Sequence, residues 1–280
     1  MHPSVRLTAA SAPLTKEVAV RDEFGAERMI SIPAERPLTV FVDRRELVTL
    51  MTLGAAPELL VLGYLRNQRL VDSVDDVDSI TVAWDVNAAA VKTRAGIERF
   101  DEKTAKRVVT TGCGQGTMFG DLMSDLSAID LPAPDDPSAR VGQGALYGLL
   151  NAIRLQESTY KSAGSVHGCA LFRQQELLTF VEDVGRHNAI DTIAGWMWLN
   201  GVSGGDKIFY TTGRLTSEMV IKSAQMGIPV IVSRSGATQM GYELAQRLGL
   251  TLFGRAMNRH FICYCGFDRF DAEPEPPRAG

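Results

Sequence analysis

Two runs, PLTVFVD (37–43) and RELVTLMT (45–52), carry apolar and β-branched residues on either side of Asp43-Arg44-Arg45. This texture predicts two strands joined as a hairpin. The period then changes. In APELLVLGYLRNQRLV (56–71) the apolar residues recur at helical spacing, and SITVAWDV (79–86) returns to a strand. Residues 101–109 lead into the cysteine loop TTGCGQG (110–116), beyond which TMFGDLMSDLSAI (117–129) reads as the start of a helix. Farther on, VGQGALYGLLNAIRLQESTY (141–160) predicts one long helix, and ALFRQQELLTFVEDVG (170–185) an apolar hairpin. RHNAIDTIAGWMWLNG (186–201) predicts a helix closed by Gly201. A regular alternation follows. KIFYTTG, IPVIVSRSG and LTLFGRA are strands; LTSEMVIKSAQMG and ATQMGYELAQRLG between them are helices. Strand–helix–strand–helix–strand at this spacing implies right-handed crossovers and a largely parallel sheet.

The texture divides the chain into a loose arm with one edge strand (1–28), a β-rich subdomain containing the cysteine loop (29–136) and an α/β subdomain (137–270). The tail DAEPEPPRAG (271–280), rich in proline and charge, is expected to be disordered. The fold class is therefore α/β with a smaller N-terminal β-rich subdomain.

Composition narrows the function classes. At 45% hydrophobic and 22% charged, the chain is ordinary for a soluble globular protein. A net charge of −4 gives no global reason to expect nucleic acid or a membrane as partner. No apolar run approaches the roughly 18 residues of a membrane helix, and MHPSVRLTAASAPLTKEV lacks a signal-peptide core. Four cysteines (Cys113, Cys169, Cys263, Cys265) do not make a disulfide scaffold. The expectation is a cytoplasmic protein with reduced thiols.

Candidate chemistry gathers at the strand ends. In parallel α/β sheets, ligands sit beyond the C-terminal ends of the strands. Here these ends read Thr212-Gly213-Arg214, Ser233-Arg234-Ser235-Gly236 and Gly254-Arg255, and the preceding hairpin ends in Gly185-Arg186-His187. Glycine admits close backbone approach, helix N-termini present free N–H groups, and arginine matches phosphate. Residues 201–264 hold seven Lys and Arg against three acids, a net +4 that leaves −8 for the rest. A basic sheet edge in an acidic chain suggests a phosphate-bearing ligand. Neither a P-loop nor a GxGxxG fingerprint is present.

Cys113 has two open readings: a nucleophile whose thiolate is helped by nearby N–H dipoles, with glycines freeing the loop to swing, or a turn residue without chemistry. Cys169, among apolar residues, is expected to be buried. Cys263 and Cys265 fall on one face of a strand, where metal or redox roles are conceivable, although no CxxC and no second pair supports zinc. His167 and His187 each admit a ligand or a structural role. Asp183 leans toward capping the following helix; Glu182 fits capping and ligand contact equally. Trp196, Met197 and Trp198 are expected in the core, with a dimer interface as the alternative.

The runs VEDVGRHNAIDTIAGW and YTTGRLTSEMVIKSAQMGIPVIVSRSG, continuing to RAMNRHFICY, resemble the FdhD/NarQ family of accessory sulfurtransferases for molybdenum-dependent formate dehydrogenases. EDVGRH, the TTGR-L-T-S-EM stretch and the A-GIP strand carry the likeness, which extends over residues 35–264. Upstream, Glu35-Arg36-Pro37, the AGSVHGCALF segment with His167, and TGCGQG match family features. The resemblance implies a cytidine-deaminase-like three-layer fold with a mixed, largely parallel sheet and without the deaminase zinc chemistry; the H-x-E and P-C-x-x-C signature is missing. It implies that Cys113 accepts sulfur as a persulfide from a cysteine desulfurase and passes it to the molybdenum cofactor, a bis(molybdopterin guanine dinucleotide), which is bound as substrate. Cofactor contact is implied for Arg255, Ala256, Met257, Asn258, Arg259, His260 and Phe261. Phosphate-holding roles fall to Arg186, Arg214, Arg234, Arg255 and Arg259, and positioning roles to Glu182 and His187, with Gly185, Gly213 and Ser217 lining the site. A guanine nucleotide such as GDP is a candidate for the same place. The implied partners are the desulfurase, the formate dehydrogenase and a second copy in a homodimer. The sequence departs from the family's CxxC loop at Gly116, so Cys113 is expected to act alone. The alternative function is a non-catalytic chaperone that binds the cofactor for a molybdoenzyme.

Overall fold

A computed structural model describes residues 5–97, 100, 109–110, 116–117, 129 and 131–273. Two compact units emerge, and each is discontinuous in sequence. The first takes Met1–Asp125, Glu157–Cys169 and Val181–Val202; the second takes Leu126–Gln156, Ala170–Phe180 and Ser203–Gly280. This corrects the expected single boundary near residue 137. The chain returns to the first unit twice, so the EDVGRH segment and the helix after it belong there rather than to the α/β subdomain.

In the first unit a five-stranded sheet has the order β1-β6-β7-β4-β5. Its strands are β1 (Arg6–Leu7), β4 (Arg36–Val42), β5 (Arg45–Thr52), β6 (Val77–Ala83) and β7 (Ala88–Thr93). The predicted hairpin forms between β4 and β5. Asp43 and Arg44 both take positive φ (47° and 73°), the signature of a two-residue type I′ turn. The pairs β1/β6 and β4/β7 are parallel. Helix α1 (Pro57–Asn67) opens on a proline, which suits a first helical position. It buries Leu60, Val61, Leu62 and Leu65 against Leu38, Val40 and Ile80 of the sheet.

The expectation of a loose arm with one edge strand is corrected. β2 (Thr15–Arg21) and β3 (Glu27–Pro33) pair in full antiparallel register, from Thr15↔Pro33 to Arg21↔Glu27. Their turn is tied by Asp22, whose carboxylate accepts from the N–H groups of Phe24 and Ala26. β8 (Val109–Thr110) and β9 (Gly116–Thr117) form a short antiparallel pair. Cys113, between them, lies outside the described residues, as do nearly all of the helix expected over 117–129 and residues 274–280 of the tail.

The long helix predicted over 141–160 is two helices. α2 (Gln143–Leu155) stops at Gln156, where ψ turns to 127°, and α3 (Thr159–Ala163) starts anew. The break is chemical. Ser158 Oγ accepts from Lys161 N–H, and the Glu182 carboxylate takes the N–H groups of Thr159 and Tyr160 (3.0 Å for Tyr160). Side chains thereby satisfy donors that a continuous helix would have paired internally.

In the second unit a six-stranded sheet has the order β12-β11-β13-β14-β15-β16. The hairpin strands are β11 (His167–Arg173) and β12 (Glu176–Asp183), whose outer ends pass into the first unit. β13 (Ile208–Thr211), β14 (Val230–Ser233) and β15 (Thr251–Met257) run parallel, and β16 (His260–Cys265) closes the edge antiparallel. Two helices separate the parallel strands: α5 (Ser217–Gln225) and α6 (Gln239–Leu248). α6 ends on Gly249 in the left-handed conformation (φ 69°), as the sequence pattern anticipates. The fold is thus mixed α/β, and this sheet holds both parallel and antiparallel pairs. Its core joins Leu146, Leu149 and Leu150 of α2 to Phe172, Tyr210, Val232 and Phe253. Among the described residues no helix is long and apolar enough to cross a membrane.

Candidate functional site

The C-terminal ends of β13, β14 and β15 are built from interlocked turns. Thr211 and Ser233, the last residues of their strands, are fully buried. Thr211 Oγ1 accepts from Gly213 N–H (3.1 Å), and Ser233 Oγ donates to the Gly213 carbonyl (2.6 Å) while accepting from Ser235 N–H (2.9 Å). Backbone bonds continue the lacing: Arg234 N–H to the Thr211 carbonyl (3.0 Å), Arg255 N–H to that of Ser235 (2.8 Å), and Leu215 N–H to that of Gly236 (3.0 Å). Ser233 is one of the strand-end residues named from the sequence; the hydroxyl of Thr211, one position before Thr212-Gly213-Arg214, is a support that the strand-end pattern does not include.

This lacing keeps the polypeptide taut and sends the arginines outward. Arg214, Arg234, Arg255 and Arg259 are all exposed, and among the described residues none of them forms an ion pair. A row of cations without acids to neutralise them is an anion-attracting surface. Ser217 and Gly213 are buried beneath it. α5 begins here with Thr216 as N-cap and no side-chain cap, whereas the α6 N-terminus is capped by Thr238, whose Oγ1 accepts from Gly241 N–H (3.2 Å).

The 255–261 segment is shaped by backbone. Gly254 is required, because a Cβ there would lie 2.5 Å from the Tyr264 ring. Arg255 (φ 51°), at a bulge between Gly254 and Met257, and Asn258 (φ 57°), in the turn from β15 to β16, adopt left-handed conformations. For non-glycine residues that costs about 1 kcal/mol each. Ala256 is buried; Met257, Asn258, Arg259 and His260 are exposed. Phe261 turns inward against Phe253 and Tyr147, with ring centroids 5.4 and 6.0 Å away. The Arg259 guanidinium lies over the Tyr147 ring at 5.8 Å. Tyr147 was not anticipated, since nothing in the local pattern of α2 announces its partner.

The remaining predicted residues belong to the first unit. Helix α4 (Arg186–Leu199) has Gly185 as its N-cap, and Arg186 and His187 are each only 5% exposed. Glu182 caps α3 as described. Asp183 is a buried hub. It accepts from Thr52 Oγ1 (2.5 Å), Asn188 Nδ2 (2.8 Å), Leu53 N–H (3.2 Å) and Gly185 N–H (3.2 Å), which ties the end of β5 to the start of α4. Burial pushes its pKa above the usual aspartate value, against the pull of those hydrogen bonds. The capping role expected of Asp183 is thus broadened to a tertiary tie.

The other thiols are poor nucleophiles. Cys169 is fully buried. Cys263 is pushed up to about 11 by burial and by neighbouring Cys265, and burial raises Cys265 as well. Cys265 Sγ contacts the Leu250 carbonyl at 3.4 Å, and Cys263 Sγ that of Cys265 at 3.5 Å. Both stay protonated at neutral pH, where a thiolate would be needed for attack or metal binding. Trp198 packs on the first-unit core, and Met197 is buried.

The FdhD/NarQ family model matches residues 33–271. This chain belongs to the FdhD/NarQ family. It is 30% identical over 240 residues to the sulfur carrier protein FdhD of Listeria monocytogenes serotype 4b, covering 85% of this chain and 91% of that one. It is 29% identical over 262 residues to the sulfur carrier protein FdhD of Bacillus subtilis, covering 89% and 96%. Its fold resembles the crystal structure of a formate dehydrogenase accessory protein from Desulfotalea psychrophila, with a TM-score of 0.73 at 24% identity over 92% of this chain and all of that one.

Proposed function

We propose that this protein is a sulfur carrier that moves sulfane sulfur from a cysteine desulfurase to the molybdenum of a bis(molybdopterin guanine dinucleotide) cofactor, for use by a formate dehydrogenase. The observation that carries the reading is the row of four exposed arginines without described acid partners at the parallel strand ends, in a chain whose family relatives bear the name sulfur carrier protein. The cofactor is the substrate, and its guanine dinucleotide arms supply the phosphates that Arg214, Arg234, Arg255 and Arg259 would hold.

The thiol chemistry falls to Cys113. Its thiolate attacks the terminal sulfur of the desulfurase persulfide. A new S–S bond forms at Cys113, the donor's S–S bond breaks, and the electron pair leaves with the donor thiolate; no outside oxidant is consumed. In the second step the sulfane sulfur passes to molybdenum in its reduced, Mo(IV) state. The metal supplies the two electrons that turn sulfur into sulfide, becoming Mo(VI), and Cys113 leaves as thiolate. Support for a single working thiol comes from Cys263 and Cys265, which burial keeps protonated, and from Cys169, which is inaccessible.

The test is mass spectrometry of the protein after incubation with a cysteine desulfurase and cysteine. One added sulfur atom, removable by a thiol reductant and lost in Cys113→Ala, is expected. A Cys113→Ala protein that still gains the sulfur removes Cys113 as the carrier thiol; a wild type that never gains it removes the carrier role and leaves the cofactor-binding chaperone.

A further inference from the structure

β2 and β3 form a two-stranded sheet of their own, apart from the five-stranded sheet of the first unit. Two strands alone are marginally stable in water; a third strand or a packed face is normally needed. The hairpin also leaves large apolar side chains in solvent: Phe24 at the turn and Met29, Ile30 and Ile32 on β3 are all exposed. It lies ahead of the family match, which begins at residue 33, the last position of β3.

The two outer edges of the hairpin differ. Asp22 N–H donates to the Ala26 carbonyl (3.1 Å) and Ala34 N–H to that of Leu14 (2.8 Å). Hydrogen-bonded pairs alternate along an antiparallel ladder, so the even-numbered residues bond within the hairpin and the odd-numbered ones turn their N–H and C=O groups outward. On β3 the outward set ends in Pro33, which has no N–H, and α3 lies against this strand. On β2 the outward set is Thr15, Glu17, Ala19 and Arg21, each with a donor and an acceptor. Among the described residues no strand pairs with that edge.

Open edges are commonly protected by charges that repel a second copy. The charges of β2 do the reverse. Opposed residues of an antiparallel pair share one face of the sheet, so a two-fold relation between two β2 strands must centre on a residue. Of the positions from Lys16 to Arg21, centring on Lys16, Glu17 or Arg21 sets a charge against its own copy. Centring on Val20 sets Glu17 against Glu23, and centring on Val18 sets Lys16 against Val20. Centring on Ala19 sets Glu17 against Arg21 and Val18 against Val20, with Lys16 opposite Asp22 just beyond the strand. Every charge then meets its opposite, and the valines meet each other. The rows extend across both hairpins. Arg21 already pairs with Glu27 of β3 (2.9 Å) and Glu17 with the Ser31 hydroxyl, so the polar face reads Glu27, Arg21, Glu17, Ser31. On the other face Ile30 stands beside Val18 and extends the valine pair into an apolar row.

We propose that β2 is a self-association edge: two copies of this chain pair antiparallel through β2 about a two-fold axis at Ala19, giving a four-stranded sheet in the order β3-β2-β2-β3. The Ala19 pair and the two Glu17–Arg21 pairs supply the backbone hydrogen bonds, because these are the residues whose groups face outward. The partner is a second copy, since the order of charges along the edge complements itself and the contact closes as a two-fold dimer without leaving a further open β2 edge. The assignment stands apart from the sulfur-carrier reading, and its test reads mass alone.

The experiment is sedimentation velocity of the full chain over a range of concentrations in reducing buffer. Wild type is expected to pass from monomer to dimer as concentration rises. Glu17→Arg and Arg21→Glu each set like charges across the axis at both symmetric positions, and each is expected to weaken self-association by about tenfold or more. Mixed together, the two variants present opposite charges to each other. The mixture is therefore expected to dimerise at concentrations where neither variant does so alone, and the chain carrying both changes should recover wild-type association. A variant that has merely misfolded cannot show this recovery. A wild type that stays monomeric at every concentration overturns the proposal. Single variants that dimerise as tightly as wild type place the contact on another surface and overturn it too, as does a mixture no more associated than its components.

Discussion

The closest backbone approach in the first unit gives a sharp prediction. α1 and α4 cross at a pair of glycines. A Cβ added to Gly63 would lie 1.6 Å from the Asp191 carbonyl oxygen and 2.6 Å from Gly195 N; one added to Gly195 would lie 2.0 Å from the Leu59 carbonyl. The obstacles are backbone atoms inside helices, so no side chain can turn away. Gly63→Ala must therefore push the helices apart by about 1.8 Å to restore the 3.4 Å of ordinary contact. A radial gap half that size already forfeits about a quarter to a half of each dispersion contact, and buried Leu60, Val61, Ile190 and Ala194 lie on these two helices. Two bonds between the helices stretch as well, Arg66 Nη1 to the Ala194 carbonyl (2.9 Å) and Asn67 Nδ2 to Asp191 Oδ1 (2.7 Å), each contributing about 1 kcal/mol. Overpacking adds about 1–3 kcal/mol, and alanine's better helix propensity returns about 1 kcal/mol. The net expectation is a loss of about 3–5 kcal/mol, a large share of the roughly 5–15 kcal/mol typical of a folded domain. Urea unfolding followed by far-UV circular dichroism and tryptophan fluorescence measures it. Gly144→Ala in α2 is the contrast, since the nearest atoms to its Cβ are the carboxylate oxygens of the exposed Glu273 side chain, at 3.2 and 3.4 Å; it should stay within about 1 kcal/mol of wild type. A Gly63→Ala midpoint equal to or above that of wild type would refute the close-crossing argument.

Three further outcomes follow from the polar contacts. Asp183→Asn should cost about 1–3 kcal/mol in urea, because the fixed N–H groups of Leu53 and Gly185 need an acceptor-only carboxylate; an unchanged midpoint would show that the hub is dispensable. The Arg140 hydrogen bond holds Asp271 below the ordinary aspartate value of 3.8. Its contribution to the docking of Phe270–Asp271 is therefore complete above that value and is lost as pH falls through the lower folded value. Exchange protection across Phe270–Asp271, which pairs with β10 (Val141–Gly142) although composition predicts a disordered tail from residue 271, should fall in that acidic window, and Asp271→Asn should weaken that pH dependence. In Cys113→Ala, iodoacetamide should label Cys263 at pH 8 at under about a hundredth of the rate of a free cysteine, rising about tenfold per pH unit toward 11; rapid labelling at pH 8 would contradict a protonated thiol.

Much of the second unit was legible in advance. From β13 to β15 each strand and helix carries its own period, and Gly227 and Gly249, both with positive φ, end the helices where the pattern places them. The β2–β3 hairpin was readable from its alternation, but its charged residues made it look like an arm. The arginines of the strand ends were named from their sequence neighbours, while the hydroxyl bond of Ser233 to the Gly213 carbonyl and the place of Tyr147 under Arg259 were not legible, because those partners lie in other elements.

Sequence by itself settled the kind of most elements in the alternating second unit, named the strand ends as the candidate site, and carried a family likeness. Those signals are local: a hydrophobic period, a cap or a turn residue acts through neighbours a few positions away. Tertiary structure alone decided that α4 joins the first unit, that Gly63 meets Asp191 and Gly195, and that Glu273 reaches the start of α2. These contacts join residues more than a hundred positions apart. Which surfaces meet is chosen by packing the whole chain, a choice that no short window of sequence contains.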